Sequence, residues 1–289
     1  MSESRVTLDL DRESHIARIT LRRPEAGNAI DAQMAAAICT YLDEVESEDD
    51  IKVVVLSGEG DHLSTGWDVE EVWRQYLDAP GGSVRKHPSQ RARLIALDEN
   101  WWGPKGLYSR LLKCRKVTIL EAKGDCLETG LYFALCCDLV VASHDARFGN
   151  PRWRNIGADG DLSLLIALVG LKRAKDLMFL GLNWPAQDAL AYGLIDWTGS
   201  SADRSGKVEE LATMCASIMR DGIVSEKYAV FASLAKMGVD LSFAATTVVS
   251  ASLSNIHFQP GEYNFLRELR SEGVESALES SRGDRAELR

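Results

Sequence analysis

VTILEAKGDCLETGLYFALCC, residues 117–137, decides the fold. It opens with an apolar run short enough for a strand, passes through a turn rich in small and polar residues, and enters a helix-like apolar stretch at Leu131. A strand that is apolar on both faces belongs to a parallel sheet covered by helices. DLVVAS (138–143) follows as another such strand, and VVVL (53–56) precedes it, ending in the loop Ser64-Thr65-Gly66-Trp67-Asp68. Two strand–loop–helix units with apolar strands define an α/β core with right-handed crossovers.

Further toward the N-terminus, RVTLDLD and HIARITL form an antiparallel hairpin around the polar turn Arg12–Ser14. Asp31 precedes Met34, Ile38, Leu42 and Val45, which recur at helical spacing, so this segment is an N-capped amphipathic helix. Residues 75–105, with APGGS and KHPSQ, form a long insertion read as a loop leading into a helix. Long loops in compact domains are often binding lids. Beyond Leu162 the chain is mainly helical, with a short strand at LIDWTG; SSADRSG (200–206) reads as a soft linker to further helical stretches and a charged tail. The expected division is a core over 1–205 and a helical region over 206–289.

The bulk composition sets limits. The 289 residues are 45% hydrophobic and 26% charged, so the chain can bury a substantial core. No apolar run approaches the roughly 20 residues that span a bilayer. The start MSESRVTLDLDRESH lacks the apolar stretch of a secretory signal, which makes the cytoplasm the expected location and a membrane partner unexpected. A net charge of −10 argues against a nucleic-acid partner, because phosphate backbones select a dense basic face. Six cysteines (Cys39, Cys114, Cys126, Cys136, Cys137 and Cys215) show no C-x-x-C pairing and no histidine placed to complete a zinc set. They are expected to be reduced packing residues, with no metal site.

Two loops carry the chemistry. Each of the first two apolar strands ends near a glycine where a helix begins, at Gly66 and at Gly130. Amides at a helix start have no internal acceptor and lie at the positive end of the peptide dipoles, so two converging ends form a site for a negative oxygen.

The ordered motifs RRPEAGNAID (22–31), VVVLSGEGDHLSTGWDVEE (53–71), the stretch from Lys116 to Pro151, and LVGLKRAKDLMFLGLNWPAQDALAYGLID (168–196) resemble the crotonase (enoyl-CoA hydratase/isomerase) superfamily. The resemblance runs continuously over about residues 5–200. It implies a spiral of ββα units with a C-terminal helical region that builds trimers or dimers of trimers. It also implies an acyl-CoA substrate, with coenzyme A as part of the substrate and no permanently bound cofactor. The thioester oxygen would be held by the backbone N–H groups of Trp67 and Thr129, the latter standing where the family commonly has glycine.

This chain departs from the hydratase pattern where two glutamates usually face a water. Tyr132 and Arg152 occupy those places. Arginine stays protonated and tyrosine, with a pKa near 10, is a poor base, so ordinary hydration is disfavoured. The resemblance to dienoyl-CoA isomerases and chlorobenzoyl-CoA dehalogenases moves the acid/base role to Asp159 or Asp161; helix capping is the competing role for Asp161, and a turn for Asp159. Trp153 resembles the leaving-group contact of the dehalogenases, for which His62 or His144 would supply a base. Arg152 and Arg154 are candidate partners for an acyl carboxylate. Trp101 and Trp102, with Tyr132, Arg152 and Trp153, form the expected substrate pocket for a bulky or cyclic acyl group. Arg22 and Arg23, with Thr65, Gly66, Asp68 and the tail residue Arg282, are candidates for contacts to coenzyme A. Asp68 is also read as a helix cap, and Glu70 and Glu71 as the exposed face of the same helix.

Overall fold

The computed structural model describes residues 4–69, 89–151, 162–252, 259–273, 276–277 and 280. The N-terminal hairpin forms as expected. Strands β1 (Val6–Asp11) and β2 (Ile16–Leu21) pair antiparallel in the register Val6↔Leu21 to Asp11↔Ile16. Their turn is tied by Asp11, whose Oδ1 accepts from the amides of Glu13 and Ser14, each at 3.1 Å. The helix Ala32–Ser47 then carries the chain over the sheet. Asp31 caps it by accepting from the Met34 amide at 2.7 Å, and the buried stripe is Met34, Ala35, Ile38, Leu42 and Val45.

Strand β3 (Val53–Gly58) lies parallel to β2. β4 (Val117–Ala122), β6 (Leu139–Ser143) and β9 (Trp197–Gly199) extend the sheet in the same direction, giving the order β1-β2-β3-β4-β6-β9. The continuous apolar run of β3 is explained by its two covered faces. Val54 and Leu56 point into the main core with Ile38 and Leu42, whereas Val53 and Val55 point the other way, onto Val208, Ala212 and Ala216. Each large aliphatic side chain so buried contributes about 1.5–3 kcal/mol.

A second sheet of three short strands was not anticipated. β5 (Asp125–Leu127) pairs parallel with β7 (Arg147–Gly149), which pairs antiparallel with β8 (Asn183–Pro185). Two sheets of ββα units with helices beyond them constitute the expected α/β spiral.

The serine-rich stretch at 200–206 corrects the expectation of a soft linker. It is the cap and first turns of the helix Ser201–Ala216, with Ser200 Oγ accepting from the Asp203 amide at 3.2 Å. Arg204, buried, anchors that turn to Glu121 of β4 at 2.9 Å. The boundary expected at 205/206 therefore falls inside a helix that covers one face of the sheet. The helix Leu162–Leu180, broken at Gly170 (φ 77°, ψ 158°), precedes it. Helices Arg220–Lys236, Val239–Ser252 and Phe265–Glu272 follow.

The first of these later helices is bolted to the core. Lys227 is 5% exposed, and its Nζ donates to both carboxylate oxygens of Asp138 at 2.7 and 2.6 Å. The same carboxylate accepts from the amide and hydroxyl of Thr118 at 2.7 and 2.9 Å.

All six cysteines are free thiols, as expected. Burial pushes the Cys114 thiol up to about 12 and raises those of Cys126 and Cys137 as well, so these sulfurs remain protonated and inert at neutral pH. Among the described residues no single helix is long and apolar enough to cross a membrane, and no cluster of three or more His, Cys, Asp or Glu side chains is arranged to hold a metal.

Candidate active site

The ends of β3 and β4 bring the two glycine-containing loops side by side. The Leu63 amide donates to Lys123 O at 2.9 Å, Ser64 N to Asp125 O at 3.0 Å, and Leu127 N returns to Ser64 O at 3.0 Å. Ser64 and Cys126 thereby form an isolated parallel bridge between the loops. On its other flank the first loop is stitched to the segment before the first helix. Thr65 N donates to Gly27 O at 2.9 Å, Ile30 N to Gly66 O at 2.7 Å, and Asp68 N to Ile30 O at 3.0 Å.

Asn28 organises this arrangement and was not singled out from the sequence. It is fully buried in a left-handed conformation (φ 52°), which asparagine tolerates better than most residues. Its Oδ1 accepts from Arg23 N at 2.8 Å, while its Nδ2 donates to Glu59 O and His62 O, each at 2.8 Å. The short amide thus holds three backbone groups of two segments. The Gly27-Asn28 pair is the local signal that points to such a turn.

The two amides proposed to face a thioester oxygen differ in their surroundings. Trp67 N donates to Glu128 Oε2 at 2.9 Å, a carboxylate from the opposite loop. Gly66 must be bare to admit it, because a Cβ at that position would lie 2.5 Å from Glu128 Oε2. Gly66 also has φ 110°, a region closed to most side chains. Thr129 is the first residue of the helix Thr129–Cys136, and among the described residues none accepts from its amide. Its side chain is buried with Oγ1 3.3 Å from the hydroxyl of Tyr108.

Glu128 itself lies at φ 50°, ψ −101°, dihedrals close to the first central position of a type II′ turn, which glycine ordinarily fills. Its backbone is pinned on both sides, N donating to Gly149 O at 2.8 Å and O accepting from Tyr132 N at 2.9 Å. The carboxylate does not cap its own helix; it reaches across to Trp67. The reach of Glu128 to the first loop depends on a proximity that only the fold creates.

The paired indoles are buried beside these loops. A short helix, Gln90–Leu97, opens with Ser89 accepting from Ala92 N at 3.1 Å, and a π-helical turn, Asp98–Trp102, follows. Trp101 lies against Trp67 with ring centroids 3.6 Å apart, which draws the Trp67 indole into the aromatic cluster. Trp102 meets Tyr108 at 4.4 Å, Tyr132 at 5.0 Å and Phe243 at 5.7 Å. Tyr132 is buried and its hydroxyl accepts from Asn150 Nδ2 at 3.0 Å. The expected pocket residues Trp101, Trp102 and Tyr132 thus belong to one buried aromatic cluster within the core.

The candidate contacts to coenzyme A are placed less uniformly. Arg23 is half-buried and pairs with Asp68 at 2.5 Å, whereas Arg22 is exposed and pairs with Glu59 at 2.7 Å. Thr65 is exposed at the loop's tip. Asp68 is buried, its Oδ2 accepting from Arg23, and the helix it is expected to cap lies outside the described residues. His62 Nδ1 accepts from Asp125 N at 2.9 Å, so in the neutral ring its other nitrogen carries the proton and has no lone pair for a base. His144 Nδ1 lies 3.4 Å from Thr198 Oγ1. Asp159, Asp161, Arg152, Trp153, Arg154, Glu70, Glu71 and Arg282 lie outside the described residues.

The ends of the parallel strands thus bring two glycine-containing loops together, with Thr129 opening a helix beside them. The match to known proteins is consistent with that geometry: residues 11–272 fit the enoyl-CoA hydratase/isomerase family model, and the chain belongs to that family. It is 30% identical over 213 residues to 4-chlorobenzoyl coenzyme A dehalogenase-2 of Arthrobacter sp, covering 73% of this chain and 72% of the relative. It is also 30% identical over 234 residues to a putative enoyl-CoA hydratase/isomerase, YngF, of Bacillus subtilis, covering 80% and 82%. Among solved structures, an enoyl-CoA hydratase/isomerase from Xanthobacter autotrophicus Py2 superposes with a TM-score of 0.78 at 25% identity, over 97% of this chain and 98% of the other.

Proposed function

We propose that this protein transforms an acyl-CoA through a thioester enolate whose oxygen is held by the amides of Trp67 and Thr129. The observation that carries the reading is the Ser64–Cys126 bridge, which draws the first oxyanion loop against the start of the helix Thr129–Cys136. Deprotonation next to the thioester carbonyl moves an electron pair onto that oxygen, where backbone donors stabilise the developing charge. The acid/base step is assigned to Asp159 or Asp161, since a positioned group of this kind supplies about 10²- to 10⁴-fold. Isomerisation, or hydration with these nonstandard residues, is the leading reaction. The aromatic cluster of Trp67, Trp101, Trp102 and Tyr132 beside the loops favours a bulky, cyclic or aromatic acyl group, because flat rings pack well against aromatic neighbours. Arg22 is assigned to coenzyme A phosphate, and the helices after residue 206 to assembly as a trimer or dimer of trimers.

A hydrolytic reaction on a CoA thioester, by dehalogenation or carbon–carbon cleavage, is the second reading. It is favoured by the likeness to the Arthrobacter dehalogenase together with the aromatic cluster. The test is turnover of straight-chain and cyclic enoyl-CoA esters beside 4-chlorobenzoyl-CoA, with products identified by mass spectrometry. Substitutions Asp159→Asn and Asp161→Asn are compared on the best substrate. Full turnover by both variants eliminates the acid/base assignment. Binding of coenzyme A thioesters without turnover of any of them identifies a catalytically silent homologue.

A further inference from the structure

The geometry points to Glu128 as an internal occupant of the first oxyanion position, a carboxylate that a thioester carbonyl must displace from the Trp67 amide. This inference rests on the oxyanion reading given above. Three independent features are built around the contact. Glu128 Oε2 sits 2.9 Å from Trp67 N, at hydrogen-bonding distance from the donor assigned to the substrate oxygen. Gly66 leaves open the space that this oxygen fills. The backbone of Glu128 is held at φ 50°, ψ −101°, where a glycine would be at ease. Conformations so sparsely populated persist where the surroundings enforce them, typically at sites of function.

A carboxylate and an enolate share the feature that matters to the Trp67 amide: an anionic oxygen. The field of the neighbouring helix start favours both. A neutral thioester carbonyl is a weaker acceptor than either, so it competes poorly with Glu128, whereas the enolate oxygen competes on equal terms. The consequence is a site that binds the ground state weakly and reserves its full hydrogen bonding for the charged intermediate.

The test is binding of acetyl-CoA and of S-ethyl-CoA, a thioether of the same size without the carbonyl, to the unsubstituted protein and to Glu128→Gln and Glu128→Ala. Calorimetry gives the preference for thioester over thioether in each protein. Removing the carboxylate is expected to raise that preference about tenfold in Glu128→Ala, the factor by which an occupied site lowers apparent affinity when one molecule in ten is open, and by less in Glu128→Gln. A preference that is present in the unsubstituted protein but unchanged or lowered in both variants overturns the inference and leaves the oxyanion reading standing. Equal binding of the two compounds by all three proteins overturns the oxyanion reading itself, and the inference with it. A measurement that needs no substitution is the carboxylate carbon resonance of labelled Glu128. It is expected to move on adding acetyl-CoA and to stay in place with S-ethyl-CoA; an unmoved resonance with acetyl-CoA refutes displacement.

Discussion

The two loops of the candidate site solve the same geometric task by opposite means. In the first, Gly66 takes up φ 110° as a residue suited to it, and Asn28 supplies the scaffold from outside the loop. In the second, Glu128 is forced into a glycine-like conformation and projects a charge back across the gap. A chain that needed only a turn would have used glycine in both. The difference separates a loop shaped for backbone presentation from one that carries a side chain at the expense of local strain.

The largest expected effect comes from filling the bare position. Gly66→Ala introduces a Cβ that would lie 2.5 Å from Glu128 Oε2 at a φ unsuited to alanine. A stability loss of about 2–4 kcal/mol in urea unfolding is expected, with turnover lowered at least about 10²-fold as the Trp67 amide is turned away. A loss below about 0.5 kcal/mol, inside the range of neutral surface changes, would mean the loops separate freely and the contrast drawn here is not enforced by packing.

Asn28→Ala ranks next. It removes one acceptor and two donors serving the backbone groups of Arg23, Glu59 and His62. Leaving such groups unsatisfied is expected to lower stability by about 2–3 kcal/mol. The second loop, which Asn28 does not touch, should keep its amide protection in hydrogen exchange.

The comparison of Glu128→Gly with Glu128→Ala isolates backbone strain, because both lose the carboxylate and only one keeps a Cβ at positive φ. The glycine variant is expected to be the more stable by about 1 kcal/mol in urea unfolding. Equal stability would place Glu128 in a relaxed conformation and remove the distinction between the loops. The smallest effect is assigned to Arg22→Ala. Its exposed pairing with Glu59 contributes at most about 1 kcal/mol to stability. A rise in KM for CoA thioesters without change in kcat would confirm a binding contact outside both loops.

Much of this architecture was legible beforehand. The apolar runs at 53–56 and 117–120, the cap at Asp31 and the glycines before two helices fix the parallel sheet and the placement of both loops, because periodicity and capping act over neighbouring residues. The second sheet escaped because β5, β7 and β8 are three residues each, too short to display alternation. SSADRSG misled because serine and aspartate start helices as readily as they fill loops, and only the packing of Val208 and Ala212 on the sheet selects between the two. Trp101 and Trp102 were recognisable as pocket candidates. Their convergence with Trp67 was not, since residues more than thirty positions apart meet through a π-helical turn. The Glu128–Trp67 contact was likewise hidden, being a property of two loops rather than of either one.

The ammonium of Lys227, clasped by Asp138 beneath the later helices, bears on how the molecule comes apart. Severing the chain between 205 and 206 would strand a cation in one fragment and its counter-ion in the other, leaving the buried Lys227 ammonium without its partner. Neither piece would survive alone as a stable body, so limited proteolysis should yield intact protein or small peptides, and heating should produce one cooperative melt.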